Sequence, residues 1–575
     1  MKKTINKYPQ SDRLQSSDLL LLLGWLAIGM LIRFSNLGDK SASSIEIATL
    51  GFSLGHGFSQ IPIDTIIPAS TLLAPLKFDR AVTVADVVAR LFGESTHPPL
   101  YFVLTHWWLE LFSRDGDLVS LTVGRSLSAI FGGLAIPAIF GFSWITFRDR
   151  ATAHFTAILM ATSPYGIYLA QEARHYTLSI LWIIISLTCM MVAINHLKRG
   201  ENLPWVIVLA WICINTLGIA THYFFGLALL IQALILLGLW CHLRSNRDWL
   251  CFRYWKRIIL AIWITLAASL IWIPIARGIS SNELTSWIAT DYSLDLVWLP
   301  IVRILGWSIA MVVLLPIEGT PIVITAISGM TILLTAILTL PWLARGWKSL
   351  INSPHSLNVI ILTSYCAIAW TIFGAIIYGY GKDISLAARY HFIYFPVVLV
   401  LLGAILARLW QHKYRRKKFG LKADRAVILI LVMSLLGSLT VVNNFGFQKS
   451  RQSNLLAKHI VTMLDPDIPT LVATSYETHS PLREAIALAL SFQTNTSLSP
   501  AEIPRFLLLR QNIYSYVKFR HTVLSHTKPL QIWSINLDIN PAFFTKDLNC
   551  IGDRSLELFG SGYQNRPYYC QELGK

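Results

Sequence analysis

Two short stretches and one longer polar segment place acids beside bases at the ends of apolar runs. In "SPYGIYLAQEARHY", residues 163–176, Glu172 precedes His175 by three positions and Tyr176 by four, with Arg174 between them. If the helix continues through this stretch, Glu172, His175 and Tyr176 share one face. "GYGKDISLAARY", residues 379–390, brings Lys382, Asp383, Arg389 and Tyr390. The polar segment 38–118 brings Asp39, Glu46, Asp64, Glu94 and His97, and "THY" at 221–223 adds His222. Guanidinium forks match phosphate oxygens and stabilise a phosphate as it leaves. A carboxylate can take the proton from an attacking hydroxyl. This set suits transfer of a group away from a phosphate, and charge logic alone does not name the group.

Taken singly, each of these residues has an ordinary explanation as a helix cap or a snorkelling charge. Their recurrence at the ends of separate apolar segments favours chemistry, because ionisable groups at membrane depth are costly to keep. The His, Glu and Cys residues lack metal-ligand spacing, so neither a metal nor another cofactor is expected.

The elements that position them are membrane helices. Of 575 residues, 54% are hydrophobic and 14% charged, against about 25% charged in soluble domains. The net charge of +17 comes from Lys and Arg grouped in short loops between apolar runs. That is the pattern of cytoplasmic loops and not of a nucleic-acid-binding face. A crossing helix needs about 20 mostly apolar residues. Such runs lie at 19–37, 119–147, 151–169, 176–195, 204–221, 223–242, 258–276, 319–343, 357–379, 391–410 and 424–443, eleven in all. With a cytoplasmic N-terminus, the basic loops, including "KYRRKK" at 413–418, all fall inside. The sites named above then share the extracytoplasmic side. The basic start (Lys2, Lys3, Lys7, Arg13) and Ser41-Ala42-Ser43 resemble a signal peptide. The run to Leu37 favours an uncleaved first span instead.

Two apolar stretches would reverse this parity if they crossed. His97–Phe112 opens on a double proline and contains His106 and Glu110; 296–316 contains Pro300 and Arg303. The first is expected to be a helix lying at the interface, and the second an interfacial or re-entrant helix, the alternative being a compensating extra crossing. Residues 446–575 follow the last span. "TLVATSY", "SPLREAIALALSF" and "LQIWSINL" mark them as a small α+β extracytoplasmic domain, distinct from a transmembrane domain at 1–445. Cys550 and Cys570 stand apart from the other cysteines, and an oxidising compartment would join them.

Four of these stretches, in order, carry a family resemblance: "HPPLYFVLTHWW" (97–108), "SPYGIYLAQEAR" (163–174), "THYFFGLALL" (221–230) and "ARYHFIYFPVVLVLLG" (388–403). The chain resembles the bacterial family-39-type glycosyltransferases over roughly residues 15–445. These are relatives of the protein O-mannosyltransferases and the lipid A aminoarabinose transferases. The resemblance implies the GT-C fold, an all-α polytopic membrane protein. It also implies transfer of a sugar, with inversion, from a polyprenyl-phosphate carrier to an acceptor outside the cytoplasm, in a bacterial inner membrane. By the same resemblance, Arg174 and Arg389 contact the donor phosphate, and His97, His175, Tyr176, His222 and Tyr390 complete the donor site. Glu172 matches the acid of the Gln-Glu-Ala-Arg motif and Glu46 the second, supporting member of an acidic pair in the first loop; these two are the expected catalytic carboxylates.

In one place the chain departs from the family. An Asp-Glu pair in the first loop, aligned by "ATLGFSLG" at 48–55, reads Ile45-Glu46 here. Either Glu46 acts as base itself, or Glu172 or Asp39 substitutes, or the chain binds a lipid-linked sugar or a partner protein without turnover. A transporter is disfavoured, since no repeated halves or paired broken spans are evident.

Overall fold

A computed structural model of the chain describes residues 14–245, 252–272, 288–289, 296–411, 421–499, 502–525 and 529–570. Lys2, Lys3, Lys7, Arg13 and "KYRRKK" lie outside the described residues. The chain divides into two compact units. The first comprises Met1–Leu37, Thr96–Tyr101 and Arg125–Phe447; the second comprises Gly38–Ser95, Phe102–Gly124 and Gln448–Lys575.

The first unit is helical. Each of the eleven apolar runs contains helix, and seven helices among the described residues are long and apolar enough to cross a membrane. They include Ser16–Phe34, Leu121–Phe147, Tyr176–Arg199 and Ala423–Val442. The run expected as a single helix over 151–169 is two, Arg150–Thr162 and Pro164–Ala170. Pro164 cannot donate to the preceding turn, so the chain breaks at Ser163. The Ser163 hydroxyl then caps the next helix, accepting from the Gly166 N–H at 3.0 Å. The break leaves carbonyls of the first piece without helical partners. Arg33, fully buried, fills that role by donating to Met160 O at 2.7 Å and Ala161 O at 3.1 Å. Close helix approach is achieved with small residues, as membrane interiors require. A Cβ on Gly403 would lie 2.2 Å from Thr156 Oγ1.

The two stretches read as non-crossing are short helices, Leu100–Phe112 and Leu299–Ala310. At 1.5 Å per residue, each is too short for a hydrocarbon core of about 30 Å. After Ser356–Gly374 the backbone passes through a π turn, Ala375–Gly379, and Gly381 at φ 67° into two 3₁₀ pieces. The second, Ala388–Ile393, carries the Arg389-Tyr390 pair, and the α-helix starts only at Phe395.

The second unit is built on a six-stranded sheet: β1 (Ile66–Ile67), β2 (Thr470–Ser475), β3 (Arg505–Leu509), β4 (Leu530–Ile535), β5 (Cys550–Gly552) and β6 (Asn565–Cys570), in the order β1-β3-β2-β4-β6-β5. The three central strands are parallel. They are joined by the crossover helices His479–Asn495 and Ile513–Leu524, as parallel pairing demands. One sheet face buries Leu471, Leu507 and Ile532 with Phe519 and Val523. Fully buried on both faces, these strands read as nearly continuous apolar runs. The edge strand β1 comes from the first polar segment and pairs antiparallel with β3. Cys550 and Cys570 face each other across β5 and β6 and form a disulfide.

Candidate functional site

Within the first unit, eight of the sequence-selected residues converge. The Pro164–Ala170 helix ends at Gln171, and 171–175 is a tight non-helical turn in which the Arg174 N–H donates to Glu172 O at 2.7 Å. The expected continuous helix is therefore broken. Glu172, Arg174, His175 and Tyr176 are gathered by this turn and not by a shared helix face. The turn is pinned from both sides. Gln171 Nε2 donates to Ser35 O at 2.8 Å, and the Ser128 hydroxyl donates to Arg174 O at 2.9 Å. Tyr101 meets that same hydroxyl at 2.7 Å. Neither Tyr101 nor Ser128 was selected from sequence. Tyr101 sits inside the His-Pro-Pro motif and was open to selection, whereas nothing marks Ser128.

His97 enters from the segment before Leu100–Phe112, and Arg174 donates to its Nε2 at 3.3 Å. The His175 ring is 5.7 Å from His97, 4.6 Å from Tyr176 and 4.4 Å from His222 between centroids. The Arg174 guanidinium lies 5.6 Å from the Tyr176 ring centre, a cation–π distance. From the late 3₁₀ piece, Arg389 sits 5.4 Å from the Tyr390 ring and hydrogen-bonds the Tyr390 hydroxyl. Phe224 bridges the two groups, 5.4 Å from His222 and 5.0 Å from Tyr390. Tyr165 fastens the pieces together by donating to Ala388 O at 3.0 Å.

The electrostatics suit an anion. Glu172, Arg174 and His175 are all buried, and Glu172 acts electrostatically on Arg389. Burial holds His175 well below the ordinary imidazole value, reinforced by the Arg174 charge. Burial, with Arg174 and Arg389, pushes His222 down to about 3. Both rings are neutral at pH 7. The His222 Nδ1 accepts from the Phe224 N–H at 2.9 Å, so its proton resides on Nε2 as a donor. Two arginines against one glutamate leave a net positive, donor-rich cluster.

Glu46 belongs to the second unit, in the Ser44–Ser53 helix. It is fully buried and is the third residue of a capping box, where its Oε2 accepts from the Ser43 N–H at 3.1 Å and the Ser43 hydroxyl at 3.2 Å. The same oxygen pairs with Lys449 Nζ at 3.3 Å. Lys449, just beyond the last span, carried no signal in the sequence.

Glu94, Asp64 and Asp383 have local duties. Glu94 accepts from Phe58 N–H and the Ser59 hydroxyl, each at 2.9 Å. Asp64 accepts from the Arg510 N–H at 3.2 Å beside β3. Asp383 holds the Ser385 N–H at 2.9 Å and pairs with Arg303 at 2.8 Å.

No family model matches the chain, and none of the curated proteins matches it in sequence. Solved structures do. ArnT from Cupriavidus metallidurans in the apo state aligns with a TM-score of 0.50 over 96% of this chain and 98% of its own, at 12% identity. The same protein bound to undecaprenyl phosphate aligns with the same score, coverage and identity. The likeness extends over nearly both whole chains. The chain is a polytopic membrane protein with the GT-C fold and a small α+β C-terminal domain, the fold that ArnT also has.

Proposed function

We propose that this chain is a membrane glycosyltransferase that takes a sugar from a polyprenyl-phosphate carrier and delivers it to an acceptor on the extracytoplasmic face of a bacterial inner membrane. The observation that carries this reading is the convergence of Arg174, Arg389 and neutral His175 in one buried cluster. His175 is fully buried, and neither ring nitrogen makes a hydrogen bond among the described residues. A buried imidazole is rarely left in that condition, and a phosphate oxygen beside two guanidinium groups would satisfy it. The fold shared with a protein whose structure contains undecaprenyl phosphate supports the same ligand class.

In the proposed reaction an acceptor hydroxyl attacks the anomeric carbon. The bond from that carbon to the phosphate oxygen breaks, and its electron pair leaves with the lipid phosphate, held by Arg174 and Arg389. The hydroxyl proton passes to a carboxylate, either Glu46 or Glu172. The grouping of Lys and Arg in alternate loops of the sequence supports a cytoplasmic N-terminus and an extracytoplasmic 446–575.

A second reading, binding of a lipid-linked sugar without turnover, is favoured by one observation. Ile45 cannot accept a proton, and the Glu46 oxygen is already shared between the Ser43 cap and Lys449. A transfer assay with purified protein and radiolabelled polyprenyl-phosphate sugar separates the two readings. Under the enzymatic reading, Arg389→Ala abolishes transfer and Glu46→Gln lowers it by 10²–10⁴-fold, the range for a lost general base. Full activity of Glu46→Gln moves the base to Glu172. Binding without turnover, unrescued by Ile45→Asp, sinks the enzymatic reading.

A further inference from the structure

The Leu299–Ala310 helix is too short to cross a membrane, and its two faces differ. The outer face exposes Ile301, Val302, Leu305 and Ile309. On the inner face Arg303 and Trp307 lie one turn apart and reach the same neighbouring segment. Arg303 donates to Asp383 Oδ2 at 2.8 Å, and the Trp307 indole N–H donates to Ser385 O at 2.8 Å. Asp383 is fully buried, and its Oδ1 accepts from the Ser385 N–H at 2.9 Å and from the Ser385 hydroxyl at 2.5 Å. This segment leads into Ala388–Ile393, the 3₁₀ piece that carries Arg389.

The same helix is tied to the element that presents the other guanidinium. At its C-terminal end, Met311 O accepts from the Ser163 hydroxyl at 2.7 Å. Ser163 caps the Pro164–Ala170 helix, which runs into the turn that holds Arg174. The Trp307 ring stacks on Phe447, 5.8 Å between centroids at 19°. Phe447 in turn stacks on Tyr168 of that helix, 4.6 Å away at 10°. Trp307 thus belongs to both sets of contacts.

We infer that Leu299–Ala310 is a strut that sets the spacing of Arg174 and Arg389, with Trp307 and the Arg303–Asp383 pair as its positioning groups. The inference rests on the reading of the two arginines as phosphate contacts. The backbone over 375–393 passes through a π turn and two 3₁₀ pieces in place of a continuous α-helix. Arg389 therefore owes its place to side chains that grip this backbone, which are Arg303 and Trp307 from the strut and Tyr165 at Ala388 O. Two guanidinium groups meet one phosphate together only when each is held to within about half an ångström. Arg303 is engaged by Asp383 and acts through Arg389, as a positioning residue.

The test compares Trp307→Phe and Asp383→Asn, each in the wild-type and in the Arg389→Ala background. Trp307→Phe keeps an aromatic ring and removes the N–H; Asp383→Asn keeps the side-chain shape and removes the charge. Binding of undecaprenyl phosphate to the purified full-length protein in lipid nanodiscs is titrated, and the thermal unfolding midpoint is read on the same samples. In the wild-type background each substitution is expected to weaken binding about tenfold, within the range for residues coupled in one network. In the Arg389→Ala background, with Arg174 left to hold the phosphate, each is expected to change affinity by no more than about twofold. Any fall in the unfolding midpoint is expected to be the same in both backgrounds. A purely structural role would weaken binding equally in the two backgrounds, and that result overturns the inference. Wild-type affinity in both single variants overturns it as well, and leaves the proposed function standing. Failure of the wild-type protein to bind, or wild-type affinity in Arg389→Ala, overturns the phosphate reading and the inference with it.

Discussion

Arg174 donates from its guanidinium to Nε2 of His97 at 3.3 Å, tying the His-Pro-Pro segment to the turn after Pro164–Ala170. The contact makes Nε2 of His97 an acceptor, so in the neutral ring the proton sits on Nδ1. It also holds the guanidinium in one orientation, with its Cζ 5.6 Å from the Tyr176 ring.

From this relationship follows a graded loss of carrier binding. Arg174→Ala should weaken undecaprenyl phosphate binding about 100-fold, within the 2–5 kcal/mol range for truncating a buried, hydrogen-bonded charge. His97→Ala should cost about tenfold, because the charge remains and only its orientation is relaxed. Arg174→Lys should fall nearer to the alanine variant, since an ammonium lacks the planar fork. Equilibrium titration of the purified variants checks the order, and a full-affinity lysine variant would remove the guanidinium from the site.

The buried histidines make a prediction about acid. His222 is held down to about 3 by burial and the nearby arginines, against 6.5 for an ordinary imidazole. His175 is lowered in the same direction. Below 6.5 the unfolded chain binds protons that the native rings refuse, so stability is present above that pH and is lost as pH falls toward 3. Thermal unfolding across this window should show a falling midpoint in wild type and a shallower fall in His222→Gln. Parallel slopes would mean that other groups govern acid lability.

The disulfide gives a prediction confined to the second unit. Cys550 and Cys570 are 20 residues apart in sequence, and closing a loop of that size contributes roughly 3 kcal/mol. Cys550→Ser should therefore open the β5–β6 edge first, seen as faster proteolysis within 550–570, while the membrane helices keep their protease resistance. Unaltered cleavage there would mean that the sheet hydrogen bonds hold the edge alone.

Much of the membrane architecture was legible because a bilayer imposes a simple rule. An apolar run of sufficient length must be helical, since no water satisfies its backbone. The starts of Ser16–Phe34 and Ala423–Val442 fall close to where hydropathy places them. Pro164 was visible too, but its effect on the 151–169 run was not drawn from it. The site was legible as residue types at span ends and illegible as geometry. Helical spacing gathered Glu172, His175 and Tyr176 for the wrong reason, because Gln171 ends the helix and a turn assembles them instead.

By itself, the sequence determined that this chain crosses a membrane many times, that its arginines and histidines recur at span ends, and that its last 130 or so residues form a mixed α+β domain. These follow from composition and short-range periodicity. Only the tertiary structure decided that Ile66–Ile67 would complete the C-terminal sheet, that Arg33 would close the carbonyls freed near Ser163, and that Lys449 would meet Glu46. Each of these pairs residues far apart along the chain. Such pairings are set by which buried polar groups remain to be satisfied once the helices have packed, and no local pattern of residue types encodes that.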